Sequence, residues 1–257
     1  MFFFRFICHT LFILAFSSTY IACVEDMETS NDPQIAFTSA KEYYDDGSFD
    51  LAVQKLGEFK SRFPYSKYST LAELFIANSN FELGNYEQAA NDYKQFVKLH
   101  PKHEKAPFAM YRVGEAHWID APEKIDRDQD LTVSAITEWG ALVDKFPDSQ
   151  YATRAKSNIA IGKRRIAESN ELVAAFYCKQ EIYHACAFRS MQIVENHKEY
   201  KDIQKRSLLR ISESMSEIAQ EKHKNPDSDK NVFLKTMTEQ QLLDSSAKFK
   251  KLAAEIL

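Results

Sequence analysis

Few residues in this sequence are placed to do chemistry. Cys23 follows Ile21 and Ala22 at the end of an apolar run, so its thiol is an acylation site, a free thiol left by ordinary cleavage, or part of a retained anchor. His100 and His103 flank Pro101, but zinc usually takes three or four ligands at compatible spacing. A polar turn after a terminated helix explains both histidines, and no metal is expected. Cys178 and Cys186 stand eight residues apart, and a bridge between them needs Cα atoms about 5.5 Å apart. Cys186 also falls in a helix-packing slot, described below, which predicts a buried free thiol. The six glycines never form a phosphate-cradling loop. G-x-S-x-G is absent, and no nucleophile, base and orienting group come together. Neither catalysis nor a cofactor is expected.

The elements that would position these residues are helices. The chain has 257 residues, 44% hydrophobic and 27% charged, with only six glycines and seven prolines and little strict alternation of apolar and polar residues. A formal net charge of −4 without a Lys/Arg block argues against nucleic acid as a partner, because phosphate binding needs a concentrated basic footprint. Residues 1–22 have one cation, Arg5, an apolar stretch from Leu11 to Phe16, and small residues leading to Cys23. That is the plan of a secretory signal, and the apolar core is too short for a span of about 20 residues. Export would place the body in an oxidising compartment.

Within that body one pattern repeats. GSFDLAVQKLGEFKSRFP, from Gly47 to Pro64, superimposes on GNYEQAANDYKQFVKLHP, from Gly84 to Pro101, at a constant offset of 37 residues. Ala52, Leu56, Phe59 and Phe63 make one helical stripe, and Pro64 ends it. Gly47 and Gly84 sit at turns. Ala40 and Ala77, each 12 residues before the alanine of the second helix, make both members of each pair small at the crossing. The pattern resembles the tetratricopeptide repeat, whose period is about 34 residues. A third copy places Ala135, Trp139, Leu142 and Pro147 on the same steps, with Gly114 in the partner slot and nine residues inserted near Ile119 to Asp130. A fourth puts Cys186 in the alanine slot, Ala174 and Tyr177 on the partner helix, and Lys198 where the proline was. Its 14 surplus residues predict one long helix from about Tyr151 to Cys178. The expectation is an all-α, right-handed superhelix of about five such hairpins. Its parts are a signal at 1–22, a flexible acidic tether at 23–34, four hairpins at 35–200, and a degenerate fifth hairpin with a C-terminal helix at 201–257.

RFPYSKYS at 62–69, LHPKHEKAPFAMYRVG at 99–114, DRDQ at 126–129 and FPDSQYATRAK at 146–156 resemble stretches of the BamD (YfiO) lipoproteins of the outer-membrane β-barrel assembly machinery. The likeness runs from about Ile35 to Tyr200 and departs from the family at Phe63, Glu104 and Phe188. It implies a periplasmic scaffold on the inner leaflet of the outer membrane, with accessory lipoproteins as further partners. In the family the N-terminal half is held to receive the C-terminal strand of unfolded barrel proteins. The C-terminal half is held to contact the last POTRA domain of the barrel-forming subunit, BamA. Carried over by motif, Arg62, Phe63, Pro64, Tyr65 and Tyr68 fall by the receiving face, and Arg127, Asp128 and Arg189 on the subunit side. The plain alternatives are that Phe63 and Pro64 end a helix, Tyr68 caps the next, and the insertion carrying Arg127 and Asp128 is a solvated loop.

With that family in view, Ile21-Ala22-Cys23 resembles a lipobox, although Tyr20 stands where leucine is usual, and Cys23 becomes the candidate lipid anchor. Val24 in the second mature position fits sorting to the outer membrane. A different class of function is a tetratricopeptide adaptor coordinating cell-wall synthesis or division. Such adaptors usually carry an N-terminal coiled coil, and no heptad run precedes Ala36.

Overall fold

The computed structural model describes residues 30–256. The signal segment and Cys23 lie outside them. Among the described residues the secondary structure is eleven α-helices and no strand, an all-α architecture of tetratricopeptide-like hairpins. Two compact units divide at His100 and Pro101.

The first unit holds α1 (Pro33–Asp45), α2 (Phe49–Arg62), α3 (Lys67–Glu82) and α4 (Tyr86–Leu99). Side chains cap the starts of α1 and α3. Asp32 accepts a hydrogen bond from the Gln34 amide at 2.7 Å ahead of Pro33, and Ser66 accepts from the Tyr68 amide at 3.2 Å. α1 packs on α2 and α3, α2 on α3, and α3 on α4. Ala52 and Leu56, and in the next hairpin Ala89 and Tyr93, are fully buried, while Ala40 and Ala77 are buried opposite them.

The second unit holds α5 (Ala106–Asp120), α6 (Asp130–Lys145), α7 (Gln150–Lys179), α8 (Tyr183–Asn196), α9 (Lys201–Lys224), α10 (Val232–Thr236) and α11 (Glu239–Ala254). The long helix expected from the surplus in the fourth repeat is α7, with 30 residues. Ala135, Trp139 and Leu142 are fully buried on α6. On α8 the alanine slot holds Cys186, and the slot of Leu56 holds Ser190, also fully buried. The four second helices end alike. Phe63, His100, Phe146 and His197 take φ between −125° and −134° with ψ near 49–60°, and each amide still bonds the carbonyl four residues back. Proline follows the first three and forces that geometry on the residue before it. Lys198 follows the fourth, which ends the same way without it.

The weakly patterned C-terminus is a packed part of this unit. α9 lies against α8 and α11. Ile211, Met215 and Ile218 of α9 form a buried cluster with Ala187, Leu234 and Leu242, and a full capping box at Thr238 and Gln241 starts α11.

Candidate functional site

The candidate receiving residues gather at the α2–α3 turn of the first unit. Phe63 caps the end of α2 and packs, half-buried, against the core, its ring 5.3 Å from that of Phe59. Arg62 lays its guanidinium over the Phe63 ring at 4.9 Å and donates to Asn31 Oδ1 at 2.7 Å. Tyr68 stacks on Phe37 at 5.3 Å, with Lys67 over its outer face at 5.0 Å. The Ser69 hydroxyl donates to the Phe63 carbonyl and closes the turn. Pro64 and Tyr65 are left at the tip, and the Tyr65 side chain is fully exposed at 101%. The turn is therefore rigid below and aromatic above. Beside it a cleft of about 220 Å³ opens between α1 and α2, lined by Ala36, Ala40, Lys55, Phe59, Arg62 and Phe63.

The two histidines are occupied. His100 Nε2 lies 2.8 Å from Glu73 Oε2, Lys60 reaches Glu73 Oε1 at 3.2 Å, and the Lys105 amide donates to His103 Nδ1 at 3.1 Å. Among the described residues no group of three or more His, Cys, Asp or Glu is arranged to hold a metal.

In the second unit, Arg127 and Asp128 are exposed on the α5–α6 insertion, and Arg189 is exposed on α8. No described contact joins the insertion pair to Arg189. The insertion is not a loose loop. Arg165 of α7 donates through Nε to Gln129 Oε1 at 2.8 Å and through Nη2 to the Pro122 carbonyl, with its guanidinium 5.2 Å above Trp118. One helical turn on, the Ser169 hydroxyl donates to the Ile125 carbonyl at 2.7 Å. Gln129 returns a bond to the Arg127 carbonyl at 3.1 Å, and Asp128 accepts from the Asp130 amide at 2.7 Å, next to the α6 N-terminus. Sequence reasoning missed Arg165 and Ser169. The signal available was a polar pair four residues apart on a helix too long for its repeat. Along the same helix runs a groove of about 1000 Å³, walled by Trp118, Ile125, Ile159, Ile161 and Tyr200.

Ion pairs tie α7 to α9. Arg206 and Arg210 converge on Glu171 at 2.6 and 2.9 Å, and Arg164 reaches Asp202 at 2.9 Å. Burial pushes the Glu171 carboxyl up, but hydrogen bonds from the two guanidinium groups outweigh it and hold the group below the ordinary glutamate range. The hydrogen bond from Arg164 holds Asp202 low in the same way. Burial pushes the His197 imidazole down, with Glu199 opposing.

The expectation of a buried free thiol is overturned. Cys178 and Cys186 are bridged, with Cα atoms 5.0 Å apart. The packing-slot argument accounted for the burial of Cys186. The turn folds the end of α7 back against the first turn of α8 and brings the two backbones within reach of a disulfide.

A repeat architecture with these hairpin sequences finds its match among known proteins. The profile of the family described as "YfiO: Outer membrane lipoprotein" matches residues 29–248. The chain belongs to this family. It is 24% identical over 174 residues to the "Outer membrane protein assembly factor BamD" of Vibrio cholerae, covering 64% of this chain and 72% of that protein. The protein of the same name from Pasteurella multocida is 25% identical over 194 residues, covering 72% of this chain and 74% of its own length. For the Caulobacter vibrioides protein of that name the figures are 23% over 164 residues, 64% and 53%.

Proposed function

We propose that the chain is a non-catalytic, periplasm-facing scaffold of the outer-membrane β-barrel assembly machinery. The match of the outer-membrane lipoprotein family across residues 29–248 carries this reading, and the relatives named as assembly factors give it its direction. The first unit receives unfolded barrel proteins at the tip formed by Arg62, Phe63, Pro64, Tyr65 and Tyr68, where a braced turn presents one fully exposed tyrosine. The second unit meets the last POTRA domain of the barrel-forming subunit through Arg127, Asp128 and Arg189, which stand on an anchored loop and an exposed helix face. Accessory lipoproteins attend the complex, and Cys23 tethers it to the outer membrane. Scaffolding of this kind needs surface and not a nucleophile, and stacked hairpins supply surface.

The reading is tested by depletion combined with site-specific photocrosslinking. Depletion lowers the level of outer-membrane barrels. A photoreactive residue at position 65 crosslinks to unfolded barrel chains, and one at position 189 crosslinks to the barrel-forming subunit. Unchanged barrel levels on depletion would sink the proposal as a whole. Barrel loss with silent crosslinks would sink only the assignment of the two surfaces.

A further inference from the structure

Three hairpins of this chain turn on the same hydrogen-bond pattern. The amide just past the turn closes on the carbonyl five residues back: Ser48 to Tyr43 at 2.8 Å, Asn85 to Asn80 at 2.9 Å, and Ile182 to Tyr177 at 3.0 Å. The pattern requires one left-handed residue. In the first two turns it is glycine, Gly47 at φ 77° and Gly84 at φ 78°; in the third it is Glu181 at φ 58°, the one non-glycine residue with positive φ among those described. A side chain makes that conformation unfavourable, and glutamate lacks the local hydrogen bonding that lets asparagine or aspartate tolerate it.

The third turn differs from the others in a second way. In the first two, an aromatic residue before the turn clasps one after it: Tyr44 meets Phe49 edge-on at 5.5 Å, and Phe81 meets Tyr86 at 5.2 Å. The residue in the place of Tyr44 and Phe81 is Cys178, so no such clasp to Tyr183 can form. Cys186, in the place of Ala52 and Ala89, takes the bridge instead. The turn that has lost both its glycine and its aromatic clasp is the turn that carries the disulfide.

We propose that the Cys178–Cys186 bridge is a redox-sensitive fastener that holds this turn closed, and that its reduction lets the turn and the start of α8 open. The reductant is a dithiol acting by thiol–disulfide exchange. Its thiolate attacks Cys178 Sγ, because Cys178 is half-buried while Cys186 is fully buried. The S–S bond breaks, and Cys186 leaves as a thiolate and takes up a proton. The second donor thiol then attacks the mixed disulfide and releases Cys178. Two electrons and two protons pass to the protein, and the donor leaves as a disulfide. The effect is local, because Ala187, one residue beyond Cys186, is packed against Ile211 and Met215 of α9. Arg189 stands three residues past Cys186, so under the partner-contact reading the same fastener sets how firmly that side chain is presented.

The test is hydrogen exchange by mass spectrometry on the full chain, before and after treatment with dithiothreitol, with thiol labelling to count free cysteines. We expect no labelled thiol at 178 or 186 before reduction. After it, amide exchange over residues 181–185 should be at least tenfold faster, while the turns at Gly47 and Gly84 stay unchanged. Glu181→Gly should restore most of the lost protection in the reduced protein and alter the oxidised protein little. Free thiols at 178 and 186 in the untreated protein, exchange at 181–185 that ignores confirmed reduction, or a loss spread equally over all three turns would each overturn the proposal. So would failure of Glu181→Gly to restore protection. The measurement uses reduction of the native chain, so it stands even where cysteine variants fold poorly.

Discussion

At Gly114 a methyl group would sit 2.5 Å from both Cδ1 and Nε1 of Trp139, whose indole N–H donates to the Tyr111 carbonyl at 3.1 Å. In an exposed helix Gly→Ala stabilises by about 1 kcal/mol. Here the overpacking should reverse the sign, and Gly114→Ala should destabilise by about 1–3 kcal/mol, read as a lower Tm. A higher Tm would mean that the crossing has slack. Glu171 gives a second residue-level prediction, in pH. Its folded pKa lies below the unfolded value, so its contribution is fully present above the ordinary glutamate pKa of about 4.3 and is lost as pH falls through the depressed folded value. Glu171→Gln should therefore cost about 1–2 kcal/mol at neutral pH, discounted because Arg206 is half-exposed. Denaturant melts should show that gap closing below pH 4. A gap that persisted there would assign the loss to packing. At this scale the small slots were readable, because Ala52 and Ala89 recur on the 37-residue step and Gly114 falls in the partner slot of the third copy. The ion-pair partners were not readable, because Glu171 and Arg206 stand 35 residues apart on helices whose register depends on packing.

The elements were legible to the extent that their spacing repeats. The 37-residue offset located α2 and α4, and the 14-residue surplus located α7, because a helical stripe ended by proline is a period that can be counted. α9 to α11 were not legible in detail, since Ile211, Met215 and Ile218 bury against Leu234 and Leu242 on no repeating step. The insertion shows a different gap. A stretch of mixed charge reads as a solvated loop, yet Arg165 and Ser169 hold its carbonyls from a helix elsewhere in the sequence. If those bonds fix the loop that carries Arg127 and Asp128, Arg165→Ala should free it. Limited proteolysis should then cut within residues 121–129 at least several-fold faster, with global stability reduced by only about 1–2 kcal/mol. Cleavage unchanged from the native chain would show that the helices on either side suffice to hold the loop.

For the whole molecule, two units each bury their own apolar stripes, and no described helix is long and apolar enough to cross a membrane. The sequence pattern alone reached an all-α stack of hairpins. It could not have chosen among the many scaffolds built that way, because hairpin spacing encodes packing and not partners. Motifs at the turns and in the insertion made that choice. Attachment to the membrane would then rest on Cys23, outside the described residues. Ile21-Ala22-Cys23 offers a small residue before the thiol, and the acids Glu25, Asp26 and Glu28 follow it in the sequence. Each buried methylene contributes about 0.8 kcal/mol, and two hydrophobic signals suffice for stable anchoring, so a diacylglyceryl thioether with an acylated amino terminus would hold an acidic body at an anionic surface without help from basic residues. Cys23→Ala should shift the protein from the membrane fraction to a soluble or unprocessed form and abolish metabolic labelling with a fatty acid. The helical body should keep its circular dichroism and its melting temperature, because the first described helix begins at Pro33, ten residues beyond Cys23. A mature Cys23→Ala protein that stayed in the membrane fraction would place the anchor in another part of the chain or in a partner.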